Sequence, residues 1–307
     1  MSHIYNEYIS ACQLAYQPCK TSLGNHCNKD ELCELNCRNI KNCVECLSNI
    51  FRINHKRIYK CFPITYSYVI RFLNAYASEI YHILYSQEEL WNDIENKNIM
   101  SIGCGPATEL IAIERLIRDK RIETSCYYFG FDQNFVWVRV QDFLTQILNN
   151  NSCLIQPCFE QGNLLPGNEG LLNTKLLIIN YVISDIYNHA PEGQQSEAVT
   201  KFLSTIVNPI IDNMPFDSYI LFNDVNSINM GRDEIEKWSA NPDLKIISKG
   251  FFEYPKRNIV QQFARASSVI ENNQFVFEDT NEDEYSNRDN INECHSAFIL
   301  LLKEAPF

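Results

Sequence analysis

The sequence predicts an α/β protein: a largely parallel sheet with helices on both faces, preceded by a small cysteine-rich unit. Three observations carry this. From Asn98 onward short apolar runs alternate with amphipathic segments, the pattern of strand–helix–strand units and hence of a parallel sheet. A glycine-bearing turn, Gly103-Cys104-Gly105, joins the first strand to the first helix of that series. Eight of the 13 cysteines fall before position 62.

The elements follow in order. Residues 1–62 are polar and cysteine-rich with little clean periodicity, and read as a separate cysteine-rich unit. Residues 63–90 read as a helical connector or lid. Pro63 suits a first helical turn, and Val69, Phe72, Leu73, Tyr76, Ile80, Ile83 and Leu84 recur at helical spacing. Residues 91–307 read as the main domain. Its strands are expected at Ile99–Ile102, Cys126–Phe131, Cys153–Pro157, Leu176–Ile179 and Tyr219–Phe222. Helices are expected at Thr108–Lys120, Phe135–Leu148 and Ser196–Asp212, with another starting at Asp233. Three further strands, around Ile246–Phe252, Gln274–Phe277 and Ala297–Leu302, follow without clear helices, which predicts an antiparallel edge.

Composition bounds the function. Of the 307 residues 45% are hydrophobic, enough for a sizeable core. No apolar run approaches the roughly 20 residues of a membrane helix, and the first residues do not read as a secretory signal. A soluble, cytoplasmic protein is expected. The net charge of −12 argues against broad electrostatic capture of nucleic acid.

The informative stretch is Ile99-Met100-Ser101-Ile102-Gly103-Cys104-Gly105-Pro106-Ala107-Thr108-Glu109. A strand enters, a glycine turn follows and a helix leaves, so backbone can approach a ligand closely. The next strand ends in Phe129-Gly130-Phe131-Asp132, and a carboxylate at such a tip can accept hydrogen bonds from ribose hydroxyls. This combination resembles motif I of class I S-adenosylmethionine-dependent methyltransferases.

The resemblance covers about residues 90–307 and implies a Rossmann-like, mostly parallel seven-stranded sheet with an antiparallel C-terminal edge. It implies S-adenosylmethionine as cofactor, with Ser101, Gly103, Cys104, Gly105, Glu109, Asp132, Gln133, Asn163 and Asn180 as binding residues. Asn180 and Tyr181 would face the transferred methyl group. Ser101 stands where such proteins usually carry an acid, with Glu109 as a possible substitute, and Ala107 stands at the third glycine. Asp185 and His189, four apart, would share a helix face as a base with its orienter or as a plain surface pair. The catalytic candidates are therefore Asn180, Tyr181 and Asp185; Asp224 is a weaker candidate for the cleft. A lid helix of the kind the resemblance implies would place Tyr66 or Arg71 of the connector near the methionine carboxylate of the cofactor.

In the cysteine-rich head, Cys33, Cys37, Cys43 and Cys46, then Cys27 and Cys61, are expected to hold zinc, because closely spaced thiolates suit a tetrahedral ion. An iron–sulfur cluster is the alternative, and buried reduced thiols the plainer reading. His55-Lys56-Arg57 makes the head a possible contact for RNA or protein. The expected function is methyl transfer to an RNA, protein or small-molecule acceptor. The alternative is a non-catalytic S-adenosylmethionine-binding module acting through a protein partner.

Overall fold

A computed structural model describes residues 3–21, 61–123, 125–162, 173–226, 231–252, 268–270, 274–277 and 294–305. The helices are α1 (His3–Thr21), α2 (Phe62–Tyr85), α3 (Glu88–Asn92), α4 (Thr108–Asp119), α5 (Val138–Asn150), α6 (Ile183–His189), α7 (Gln195–Phe202), α8 (Asn208–Asn213) and α9 (Arg232–Trp238). The strands are β1 (Asn98–Ile102), β2 (Cys126–Asp132), β3 (Ile155–Gln161), β4 (Thr174–Asn180), β5 (Tyr219–Val225), β6 (Leu244–Phe252), β7 (Ser268–Ile270) and β8 (Ser296–Lys303).

They form one sheet in the order β3-β2-β1-β4-β5-β8-β6-β7. Strands β1 to β5 are mutually parallel, and β8 lies antiparallel between β5 and β6. This is the Rossmann-like, mostly parallel arrangement of seven long strands that the sequence predicts. The three-residue β7 adds an eighth, parallel to β6. The chain order reverses beside β1, between β2 and β4, so the sheet's switch point lies there.

Period-2 alternation explains why the central strands are apolar throughout. Leu176 and Ile178 of β4 enter the core beneath α1, α2, α4 and α5, whereas Leu177 and Ile179 enter the core beneath α6 to α9. Each face is buried, and each fully buried aliphatic side chain contributes about 1.5–3 kcal/mol.

The structure corrects several expectations. The first residues are not aperiodic: Ile4, Tyr5, Tyr8, Ile9, Cys12 and Tyr16 lie on one buried face of α1, within the same core as α2 and α5. Strand β3 runs two residues later than expected at its start and continues to Gln161. As an edge strand pairing only with β2, it tolerates Pro157. Gln274–Phe277 is not a strand. It is tied to α2 instead, through Asn74 Nδ2 donating to Phe277 O at 2.9 Å and Val276 N donating to Ser78 Oγ at 2.9 Å. The helix expected over Ser196–Asp212 is interrupted by a π turn at Leu203–Val207.

At the far side, Lys303 of β8 is buried. Its Nζ donates to Ile211 O at 2.7 Å and Met214 O at 2.6 Å. It thereby adds a donor at the end of α8, where Ile211 O also accepts from Met214 N at 3.1 Å. Among the described residues no helix is long and apolar enough to cross a membrane.

Candidate cofactor cleft

The tips of β1, β2 and β4, with Gly162 after β3, open into a cleft of about 770 Å³. That is within the range of nucleotide-sized sites. Its floor is the turn after β1. Gly103 (φ 65°) and Gly105 (φ 51°) adopt left-handed backbone, and Ala107 (φ 57°) does so without being glycine. Gly103 N donates to Phe131 O at 2.7 Å, which ties the turn to the end of β2. A Cβ at Gly103 would stand 2.5 Å from Val182 Cγ2, so only glycine fits between the tips of β1 and β4.

Side chains from three elements hold the turn. Asp132 accepts Gly105 N at 2.9 Å on one carboxylate oxygen and Asn134 N at 2.8 Å on the other. Gln141 of α5 donates to Gly105 O at 2.7 Å. Tyr8 of α1 donates to Pro106 O at 2.9 Å. Burial raises the Asp132 pKa to about 6 against these two lowering hydrogen bonds, with Asp185 adding a smaller upward push. Each oxygen keeps a lone pair for a further donor.

Ser101 of β1 is tied to an acid from α4. Ser101 is fully buried, and its hydroxyl donates to Glu109 Oε1 at 2.5 Å; Tyr128 OH donates to the same oxygen at 2.6 Å. Burial pushes the Glu109 carboxyl up, and the two hydroxyls oppose that. Glu109 lines the cleft and Ser101 does not. The carboxylate at this end of the cleft therefore comes from the helix.

At the tip of β4, Asn180 and Tyr181 both line the cleft. Asn180 Oδ1 accepts from Asn223 Nδ2 at 2.9 Å, and its amide reaches Thr108 Oγ1 at 3.4 Å. Tyr181 has left-handed backbone (φ 59°) and stacks on Tyr76, ring centroids 3.9 Å apart. Its hydroxyl donates to the buried Glu79 of α2 at 3.0 Å. Burial, then the Glu79 charge, raises the Tyr181 phenol far above its ordinary value, so it serves as a donor and not as a base.

Asp185 and His189 also line the cleft, on α6. His189 Nδ1 lies 2.8 Å from the main-chain oxygen of Asp185, nearer than the carboxylate at 3.5 Å. A carbonyl only accepts, so Nδ1 carries a proton. Both the main-chain oxygen and the carboxylate of Asp185 therefore face that ring nitrogen. Asp224 is no cleft residue: it caps α6, accepting Ser184 N at 2.9 Å.

The remaining candidates fall out as follows. Gly103, Cys104, Gly105 and Gln133 line the cleft as expected. Cys104 is buried, and its thiol is pushed up by that burial. Asn163 and the cysteines at 27, 33, 37, 43 and 46 lie outside the described residues. Cys61 is buried in the core beside the start of α2. Among the described residues no three His, Cys, Asp or Glu side chains converge as a metal site. The connector helix does cover the cleft, but through Tyr68 and Tyr76. Tyr66 stacks on Phe143 instead, and Arg71 lies over Phe72.

Fold and cleft together define a doubly wound α/β protein with a nucleotide-sized site at its switch point. A comparison with protein-family models returns no match, and none of the curated proteins matches either. Among solved structures, the chain is similar to one from Listeria monocytogenes provisionally assigned to class I S-adenosylmethionine-dependent methyltransferases. The identity is 11%, the TM-score 0.45, and coverage 99% of this chain and 89% of that one. An rRNA methylase from Streptococcus thermophilus aligns at 11% identity and TM-score 0.37, covering 73% of this chain and 96% of its own. The magnesium protoporphyrin IX methyltransferase of Synechocystis, solved with S-adenosylhomocysteine bound, aligns at 10% and 0.37, covering 84% and 92%. At such identities and scores these likenesses carry no argument about function, which rests on the cleft.

Proposed function

We propose that the chain is an S-adenosylmethionine-dependent methyltransferase. One observation carries the reading. At the switch point the Asp132 carboxylate, the glycine turn, the Glu109 carboxylate and the Asn180–Tyr181 tip all face one cleft. These are the groups needed for a ribose, a close backbone approach, an amine and a reacting centre. The cofactor, when bound, supplies an already activated methyl group on a sulfonium.

The protein's own task is then alignment. Asp132, fixed by Gly105 N and Asn134 N, accepts from the ribose hydroxyls. Glu109 holds the amino group. Asn180, immobilised between Asn223 and Thr108, orients the acceptor. Tyr68, Tyr76 and Trp137 exclude water on the α2 side. Where the acceptor's proton has a high pKa, His189 Nε2 is the base within the cleft. From the sequence we also propose an RNA, protein or small-molecule acceptor, a cytoplasmic location, and a cysteine-rich head that holds zinc, or an iron–sulfur cluster, and contacts RNA or protein.

Calorimetric titration with S-adenosylmethionine and S-adenosylhomocysteine tests the reading. Micromolar binding that Asp132→Ala abolishes supports it; no binding of either compound by the intact protein refutes it. Elemental analysis of the same sample tests the head: zinc supports the thiolate site, a brown protein containing iron supports the cluster, and neither element overturns both.

A further inference from the structure

Glu79 is a carboxylate buried completely in α2, with no exposed surface. Placing an ion there is costly unless something uses it. Among the described residues the donors hydrogen-bonded to it are neutral: the Tyr181 hydroxyl at 3.0 and 3.2 Å, Asn223 Nδ2 at 3.2 Å and His295 N at 3.0 Å. The His295 ring lies 3.7 Å away. Among the described residues no lysine or arginine pairs with it.

Tyr181 links this charge to the cleft. Its hydroxyl points inward to Glu79, its ring lies against Tyr76, and both tyrosines line the cleft beside Asn180. A phenol that donates to a carboxylate is polarised: electron density moves into the ring and its negative face strengthens. Aromatic faces hold cations more tightly as that density rises and water is excluded. The described lining contains no lysine or arginine, whereas Glu109, Asp132 and Asp185 are acidic.

We infer that Tyr181, polarised by Glu79 and backed by Tyr76, is a recognition element for positive charge, and that the charge it takes is the sulfonium of the methyl donor. This rests on the reading of the cleft as an S-adenosylmethionine site. The consequence is discrimination by charge. The donor carries a positive sulfur and the product, S-adenosylhomocysteine, a neutral thioether. Glu79 and Tyr181 therefore favour the charged donor and loosen the site once the charge has gone.

Calorimetry on the full chain with these two compounds decides it without any acceptor. In the wild type the affinity ratio of S-adenosylmethionine to S-adenosylhomocysteine is the reference. Glu79→Gln keeps the shape of the side chain and removes the charge. Tyr181→Phe keeps the ring and removes the polarising hydrogen bond. Each is expected to lower the ratio by about three- to tenfold, while affinity for S-adenosylhomocysteine holds. An unchanged ratio in both variants, or equal loss for both compounds, overturns the inference and leaves Glu79 a structural residue. Should Glu79→Gln bind neither compound, Tyr181→Phe decides alone. If the wild type binds neither compound, the cofactor reading itself fails.

Discussion

The Asp132 carboxylate makes the affinity of the cleft a function of pH, with a sign fixed by the structure. Its pKa is raised from 3.8 to about 6, first by burial, against hydrogen bonds from Asn134 N and Gly105 N. Ribose hydroxyls donate to the ionised form, so protonation competes with the ligand. At about pH 5 only about one carboxylate in ten is ionised, and affinity falls about tenfold, or about 1.4 kcal/mol, relative to neutral pH. The same shift acts oppositely on folding. A carboxyl whose folded pKa is raised adds stability below its unfolded value and loses it as pH rises to about 6. The span between 3.8 and about 6 corresponds to about 3 kcal/mol. The assay is calorimetric titration with S-adenosylhomocysteine from about pH 5 to about pH 7.5, on wild type and Asp132→Asn. The wild type is expected to tighten through about pH 6. The variant is expected to bind about 10- to 100-fold more weakly at neutral pH, with a flat profile. A flat wild-type profile, or a variant that keeps the slope, refutes the assignment of Asp132 as the ribose acceptor.

Three further outcomes follow from the geometry. Gly103→Ala combines a left-handed backbone with the 2.5 Å approach to a stiff valine; about 2–4 kcal/mol of stability is lost in urea unfolding. Adding Val182→Ala relieves the clash and not the backbone strain, so only part of that loss is recovered. Ser101→Asp restores an acid to β1 but places it against Glu109, already 2.5 Å from the Ser101 hydroxyl. Two buried carboxylates cannot both ionise there, so the variant's melting temperature falls more steeply than the wild type's as pH rises toward neutral. Lys303→Met removes the lysine donor from Met214 O and leaves Ile211 O with Met214 N alone; it costs about 1–3 kcal/mol, read by thermal unfolding.

The parts of the fold that rest on repeating patterns were legible. The unbroken apolar run Leu176–Ile179 announced a strand buried on both faces, and the glycine turn with Asp132 announced the switch-point site. Long-range pairing was not. Nothing local marks Ser101 as the donor to Glu109, because that contact depends on where α4 begins relative to β1. Glu79 reads in sequence as one polar residue on an apolar helix; its partners Tyr181, Asn223 and His295 lie 102 to 216 residues away. Tyr68 and Tyr76, eight residues apart, did share a legible helical face, yet the sequence reading favoured Tyr66 and Arg71, which point elsewhere. Ile4, Tyr5, Tyr8, Ile9 and Cys12 carry a plain 3.6-residue pattern within the cysteine-rich stretch.

The position of β8 between β5 and β6 has a kinetic consequence. β5 is flanked on one side by β4 and on the other only by Ser296–Lys303. During synthesis β5 is therefore complete about 70 residues before its second neighbour exists, a long interval at ribosomal rates. For that time it is an open, apolar strand edge, the surface on which chains aggregate. The same late strand brings Lys303 to the end of α8, so closing the sheet and securing that helix are one event. Folding of this half therefore waits on a non-local pairing, the kind of contact that slows folding.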